Sequence, residues 1–144
     1  MEVVSTNKWV QRTTAFARYL NLLRQFNAVN ESITALAAEP RRQIALTALA
    51  ELTRAETSGE APVATEEKNW SVEASVAFAR VRSQSSGVRN AGLRRWLVCA
   101  YRATYNSPYG EVQSLHRLVL RALRQMHGDA IPTARELRAQ RKMA

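Results

Sequence analysis

Helical periodicity, with almost no competing strand signal, constrains this chain more than any other feature. Its clearest instance lies between Pro108 and Gly128. There Val112, Leu115, Val119, Ala122, Leu123 and Met126 share one face at ~100° per residue. Gly128 is placed to end that helix. The preceding "NSPYGE" (106–111) offers Ser107 as a cap and Pro108 for the first helical position. No sustained apolar–polar alternation and no Asn-Gly or Asp-Gly hairpin turn occurs elsewhere. The expected fold class is therefore all-α, a compact bundle of five to six helices.

The remaining helices follow the same logic. A first helix is expected from Ser5 or Thr6 to about Phe26, with Trp9, Phe16, Leu20 and Leu23 as its core stripe. Asn30 suits the cap of a short helix carrying Ile33, Leu36 and Ala37. Pro40 then kinks that helix or opens the next, whose buried face would be Ile44, Ala48, Leu49 and Leu52. Ser71 is placed to cap a helix with Val72, Val76 and Ala79 inward, ended by "SQSSG" (83–87). "VRNAGLRRWLVCAYRATY" (88–105) follows as a helix. Leu93, Leu97, Ala100 and Thr104 point inward on its wheel, Arg95, Cys99 and Arg102 point the opposite way, and Arg94, Val98, Tyr101 and Tyr105 share a flank. "TARE" (133–136) is a capping box that starts a short last helix.

One stretch breaks the period. "ETSGEAPVATEEKN" (56–69) contains Gly59, Pro62 and four glutamates, and reads as an exposed acidic loop. The expected organisation is one domain over residues 1–144: a neutral helical half (1–56), the acidic loop (57–69) and a basic helical half (70–144). With hydrophobic residues at 46%, a chain of this size can bury on the order of two thirds of its unfolded surface.

Several classes are disfavoured. No apolar run approaches the ~18 residues of a membrane span. The N-terminal "MEVVSTNKWVQR" lacks the layout of a secretory signal. Cys99 is the single cysteine, which rules out an intrachain disulfide and suits a reducing compartment. These features point to an intracellular protein, of cytoplasm or virion, without a transmembrane segment. His116 and His127 lack metal-ligand spacing, and no phosphate-loop, dinucleotide or nucleophile-elbow motif is present. No catalytic residue, cofactor or metal is expected.

Charge supplies the functional signal. The net charge is +9, and residues 73–144 hold 13 Lys+Arg against four acids, whereas residues 1–72 hold eight of each. Codon usage can explain the preference for arginine over lysine, but not this asymmetry. Arginine's planar fork fits phosphate and stacks on rings. Arg117, Arg121 and Arg124 fall within about 60° of one another, opposite the apolar face of their helix. No carboxylate stands three or four residues from any of them. Such a row repels itself by a few tenths of a kcal/mol per pair and is easier to understand beside an anion. Arg89, Arg94, Arg95 and Arg102 interleave with aromatics, of which Tyr105 is the best placed to stack on a base. Arg135, Arg138, Arg141 and Lys142 continue the series.

In size, helical pattern and arginine-rich half, the chain resembles helical subunits that coat nucleic acid. Rod-forming viral coat proteins and the small helical subunit of RNA-guided complexes are examples. The likeness is one of class, not of motif. The expected function is a non-enzymatic subunit that holds RNA or single-stranded DNA by its backbone in a multi-copy nucleoprotein assembly. Its binding residues would be Arg89, Arg94, Arg95, Arg102, Tyr105, Arg117, Arg121, Arg124, Arg135 and Arg138. Its partners would be the nucleic acid backbone and copies of itself or other subunits. The alternative is a protein-binding accessory subunit that docks on an acidic partner.

Overall fold

The computed structural model describes residues 2–57 and 69–128, with side chains from 9 to 54 and from 69 to 128. Five helices are present: α1 (Glu2–Thr34), α2 (Ala38–Thr57), α3 (Trp70–Val81), α4 (Ser86–Thr104) and α5 (Gly110–His127). No strand occurs among the described residues. The acidic stretch and the expected last helix with its capping box lie largely or wholly outside them.

α4 is the centre of the bundle and touches each of the other four helices. Gly92, Leu93, Trp96, Leu97, Val98, Cys99, Ala100 and Thr104 are all buried on it. A helix buried nearly all round has apolar or small residues on most of its faces, as here. Two expectations fail for this reason. The wheel puts Val98 on the flank of Arg94, Tyr101 and Tyr105 and Cys99 on the outward side, yet both are fully buried. The wheel assumed one covered face, and the fold covers nearly all of them.

α3 packs hardest against α4, and Gly92 explains how. A Cβ at that position would stand 2.8 Å from Arg80 Cβ and 3.1 Å from the Ala77 carbonyl oxygen. The inward residues of α3 are Ala74, Ala77 and Val81, small enough for this close approach. Val72 and Val76, expected inward, are instead 56% and 51% exposed. The cap is also displaced. Asn69, not Ser71, caps α3, and its Oδ1 accepts from the backbone N–H groups of Ser71 and Val72 at 3.1 and 3.3 Å.

α1 departs furthest from expectation. It runs unbroken through Asn27 and Asn30 to Thr34, so the separate short helix after Phe26 does not exist. Leu22, Phe26, Val29 and Ile33, at i, i+4, i+7 and i+11, are buried and hold its second half against the core. The expected stripe lies elsewhere: Trp9, Phe16 and Leu20 are 69%, 50% and 48% exposed, and of the four only Leu23 packs on the core.

α5 matches its expected face in full, with Val112, Leu115, Val119, Ala122, Leu123 and Met126 all buried. It begins at Gly110 rather than Pro108. Ser107 Oγ accepts from the Tyr109 backbone N–H at 3.3 Å, forming a local turn just before the helix. Gly128 terminates it in the left-handed region, at φ 99°.

Candidate nucleic-acid interface

Three of the four α4 arginines are engaged inside the fold. Arg95 Nη1 donates to Glu51 Oε1 at 2.7 Å, and Arg94 Nη1 lies 3.9 Å from Glu51 Oε2. One carboxylate on α2 thus holds two adjacent guanidiniums on α4. Arg102 lies over the Trp70 ring, 4.8 Å from its centroid, and Arg95 approaches the same ring at 5.8 Å. Both are cation–π contacts between α4 and the start of α3. Arg89 is half-buried near the start of α4. Arg94, Arg95 and Arg102 thus find partners within the fold, whereas the buried Nε of Arg89 has no hydrogen-bond partner among the described residues.

The α5 row is different. Arg117 and Arg121 are exposed and Arg124 is half-buried, all on the side away from the buried stripe. No ion pair engages any of the three among the described residues. Glu111, in the first turn of the same helix, instead faces Arg12 of α1 at 3.8 Å. Seven residues of helix at ~1.5 Å each make the row roughly 10 Å long. Arg135 and Arg138 lie outside the described residues.

Arg42 of α2 joins this face, and no sequence signal marked it. A Cβ on Gly128 would stand 2.6 Å from Arg42 Nη2, so the guanidinium sits at the C-terminus of α5. The negative end of the helix dipole favours a cation there. Arg124 and His127 occupy the same last turn. The α2–α5 packing that creates this basic end is tertiary, and could not be read from either helix alone.

Beside the first half of α5 stands an aromatic group. Tyr101 and Tyr105 stack with centroids 5.8 Å apart and planes inclined by 25°. His116 lies 4.6 Å from Tyr101 and meets Tyr105 edge-on at 5.9 Å. The Thr104 hydroxyl donates to the Ala100 carbonyl at 2.7 Å. The same hydroxyl lies 3.0 Å from His116 Nδ1. Burial lowers the His116 pKa below its ordinary 6.5, and a backbone contact with Tyr101 opposes that shift. Burial thus favours the neutral imidazole. Tyr105 is 51% exposed, and Asn106 just after it turns the chain at φ 56°.

The exposed apolar residues of α1 form a second feature that the wheel misassigned. Trp9, Phe16 and Tyr19 line a groove of about 320 Å³, together with Tyr109 and Val112. Arg12 and Glu111 border it. Among the described residues no cluster of His, Cys, Asp and Glu could hold a metal, and no helix is long and apolar enough to cross a membrane. Cys99 is buried and free. Comparison of the chain with protein-family models, curated proteins and solved structures finds no match.

Proposed function

We propose that this protein is a non-catalytic subunit that binds the phosphate backbone of nucleic acid through α5, and that it works in several copies along a strand. One observation carries the reading. Arg117, Arg121 and Arg124 stand together on the outward side of α5 with no ion-pair partner among the described residues, while Arg94, Arg95 and Arg102 are engaged within the fold. Projected on the duplex axis, phosphates of one strand recur every ~3.4 Å, so a row of roughly 10 Å is long enough to meet more than one of them. Arg42 at the end of the row extends its reach. Backbone contacts of this kind carry no sequence information.

The test is the triple substitution of Arg117, Arg121 and Arg124 by glutamate. Folding should survive, since all three point away from the buried stripe and the exposed Arg117 and Arg121 should each alter stability by under ~0.5 kcal/mol. Binding to a generic oligonucleotide should collapse. Single substitutions by glutamine should each reduce the slope of log K against log salt by ~0.7 on single strands. Equal binding by parent and triple variant at every salt concentration would refute the reading.

The accessory-subunit reading has its own observation. Trp9, Val10, Phe16 and Leu20 are all about half exposed or more, and Arg12 and Arg18 stand beside them on α1. Apolar surface rimmed by charge suits a protein contact. Such a contact fits the multi-copy form of the first reading as well. An absorbance spectrum at 260 and 280 nm, taken on purified protein before and after high salt, separates an α5 that holds nucleic acid from one that docks on an acidic protein.

A further inference from the structure

Resting on the phosphate-binding reading, we propose that Tyr105 is a stacking platform for an unpaired base, so that the ligand of α5 is single-stranded. Three observations converge on it. The first is exposure: Tyr105 leaves about half of its surface to solvent, while most aromatics of the core are closed. The second is order. One side of the ring is backed by Tyr101 at 5.8 Å and its edge is met by His116 at 5.9 Å, so the ring is held before a ligand arrives. A held ring loses little rotamer freedom on binding, which favours affinity. The third is position. His116, which braces the ring, is the residue immediately before Arg117, the first cation of the α5 row. At ~100° per residue His116 and Arg117 leave α5 on adjoining sides, so the platform lies around the helix from the first cation of the row, with Arg42 and Gly128 beyond the last.

This arrangement discriminates by strand number. A guanidinium row accepts phosphates from a single strand or a duplex alike. A ring beside it adds affinity only where a base is free to leave its stack, and single strands offer that. Burial favours the neutral form of His116, so the platform offers rings rather than added charge.

The experiment titrates the full chain with a fluorescent oligothymidylate and with a duplex of equal length, across a salt series. Parent protein should favour the single strand. Tyr105→Ala should weaken single-strand binding roughly 5- to 150-fold with an unchanged salt slope, and should leave duplex binding as it was. Tyr105→Leu keeps apolar bulk against Tyr101 and guards against a local collapse, yet it lacks a π-face and should lose as much. Tyr105→Trp should retain binding. If the alanine and leucine variants hold the single strand as tightly as the parent, or if the parent does not distinguish single strand from duplex, the platform is refuted while the phosphate reading stands. A parent that binds neither probe at any salt concentration refutes both.

Discussion

At the scale of single residues, the core depends on a few polar groups satisfied in an apolar setting. Trp96 is fully buried, and its Nε1–H donates to Gln25 Oε1 at 2.8 Å. Gln25 is itself buried and passes the bond on, its Nε2 donating to Ser75 Oγ at 3.0 Å. This short relay ties α4 to α1 and α1 to α3. Trp96→Phe removes the donor and leaves the Gln25 oxygen unpaired, at a cost of about 1–3 kcal/mol before any void is counted. Urea denaturation of the variant measures it, and an unchanged midpoint would show that the relay adds nothing. His116 makes a pH prediction. Its folded pKa lies below 6.5, so the unfolded chain binds a proton more readily than the native one. Stability from this group is present above pH 6.5 and declines as pH falls through that value towards the lower folded pKa. Thermal melts between pH 7.5 and about 5 should show a decline that is shallower in His116→Asn.

At the scale of elements, the arginines of α4 and those of α5 separate into different roles. Those on α4 knit helices together: Glu51 bridges α2 to Arg94 and Arg95, and Trp70 at the start of α3 receives Arg95 and Arg102. Those on α5 face outward. Substitution distinguishes them. Glu51→Ala strips two guanidiniums of their carboxylate at a site only 22–36% exposed, and should destabilise by about 1.5–3 kcal/mol. Arg117→Ala should cost under ~0.5 kcal/mol. Similar losses from both changes in chemical denaturation would mean that the α5 row also has a structural duty. α1 shows the complementary effect. Its second half is held by Leu22, Phe26, Val29 and Ile33, while Trp9 and Phe16 on its first half remain open.

At the scale of the whole molecule, two unlike surfaces coexist: an arginine row on α5 and an apolar groove between α1 and the start of α5. On the proposed reading, the groove would take another subunit and leave the α5 row free. Trp9→Glu combined with Phe16→Glu should leave the melting temperature within a few degrees of the parent, since both side chains are largely exposed. The same double variant should lower the mass of any oligomer measured by light scattering. A parent that is monomeric at high concentration would remove the groove's proposed role in assembly.

What the sequence determined alone was local: the all-helical class, the boundaries near Gly128 and the apolar stripe of α5, because period and turn chemistry act within a few residues. The row Arg117, Arg121 and Arg124 was legible for the same reason, since a helix with one buried face leaves the other open. Tertiary structure decided the rest. Which of two stripes α1 buries, whether Cys99 and Val98 face outward, and whether Arg94, Arg95 and Arg102 are free all depend on what packs beside them. α4 is enclosed by four neighbours, and Gly92 lets α3 approach it so closely that small residues, not Val72 and Val76, turn inward. A wheel ranks the faces of one helix by apolarity, whereas burial depends on how many other helices arrive and how near they can come.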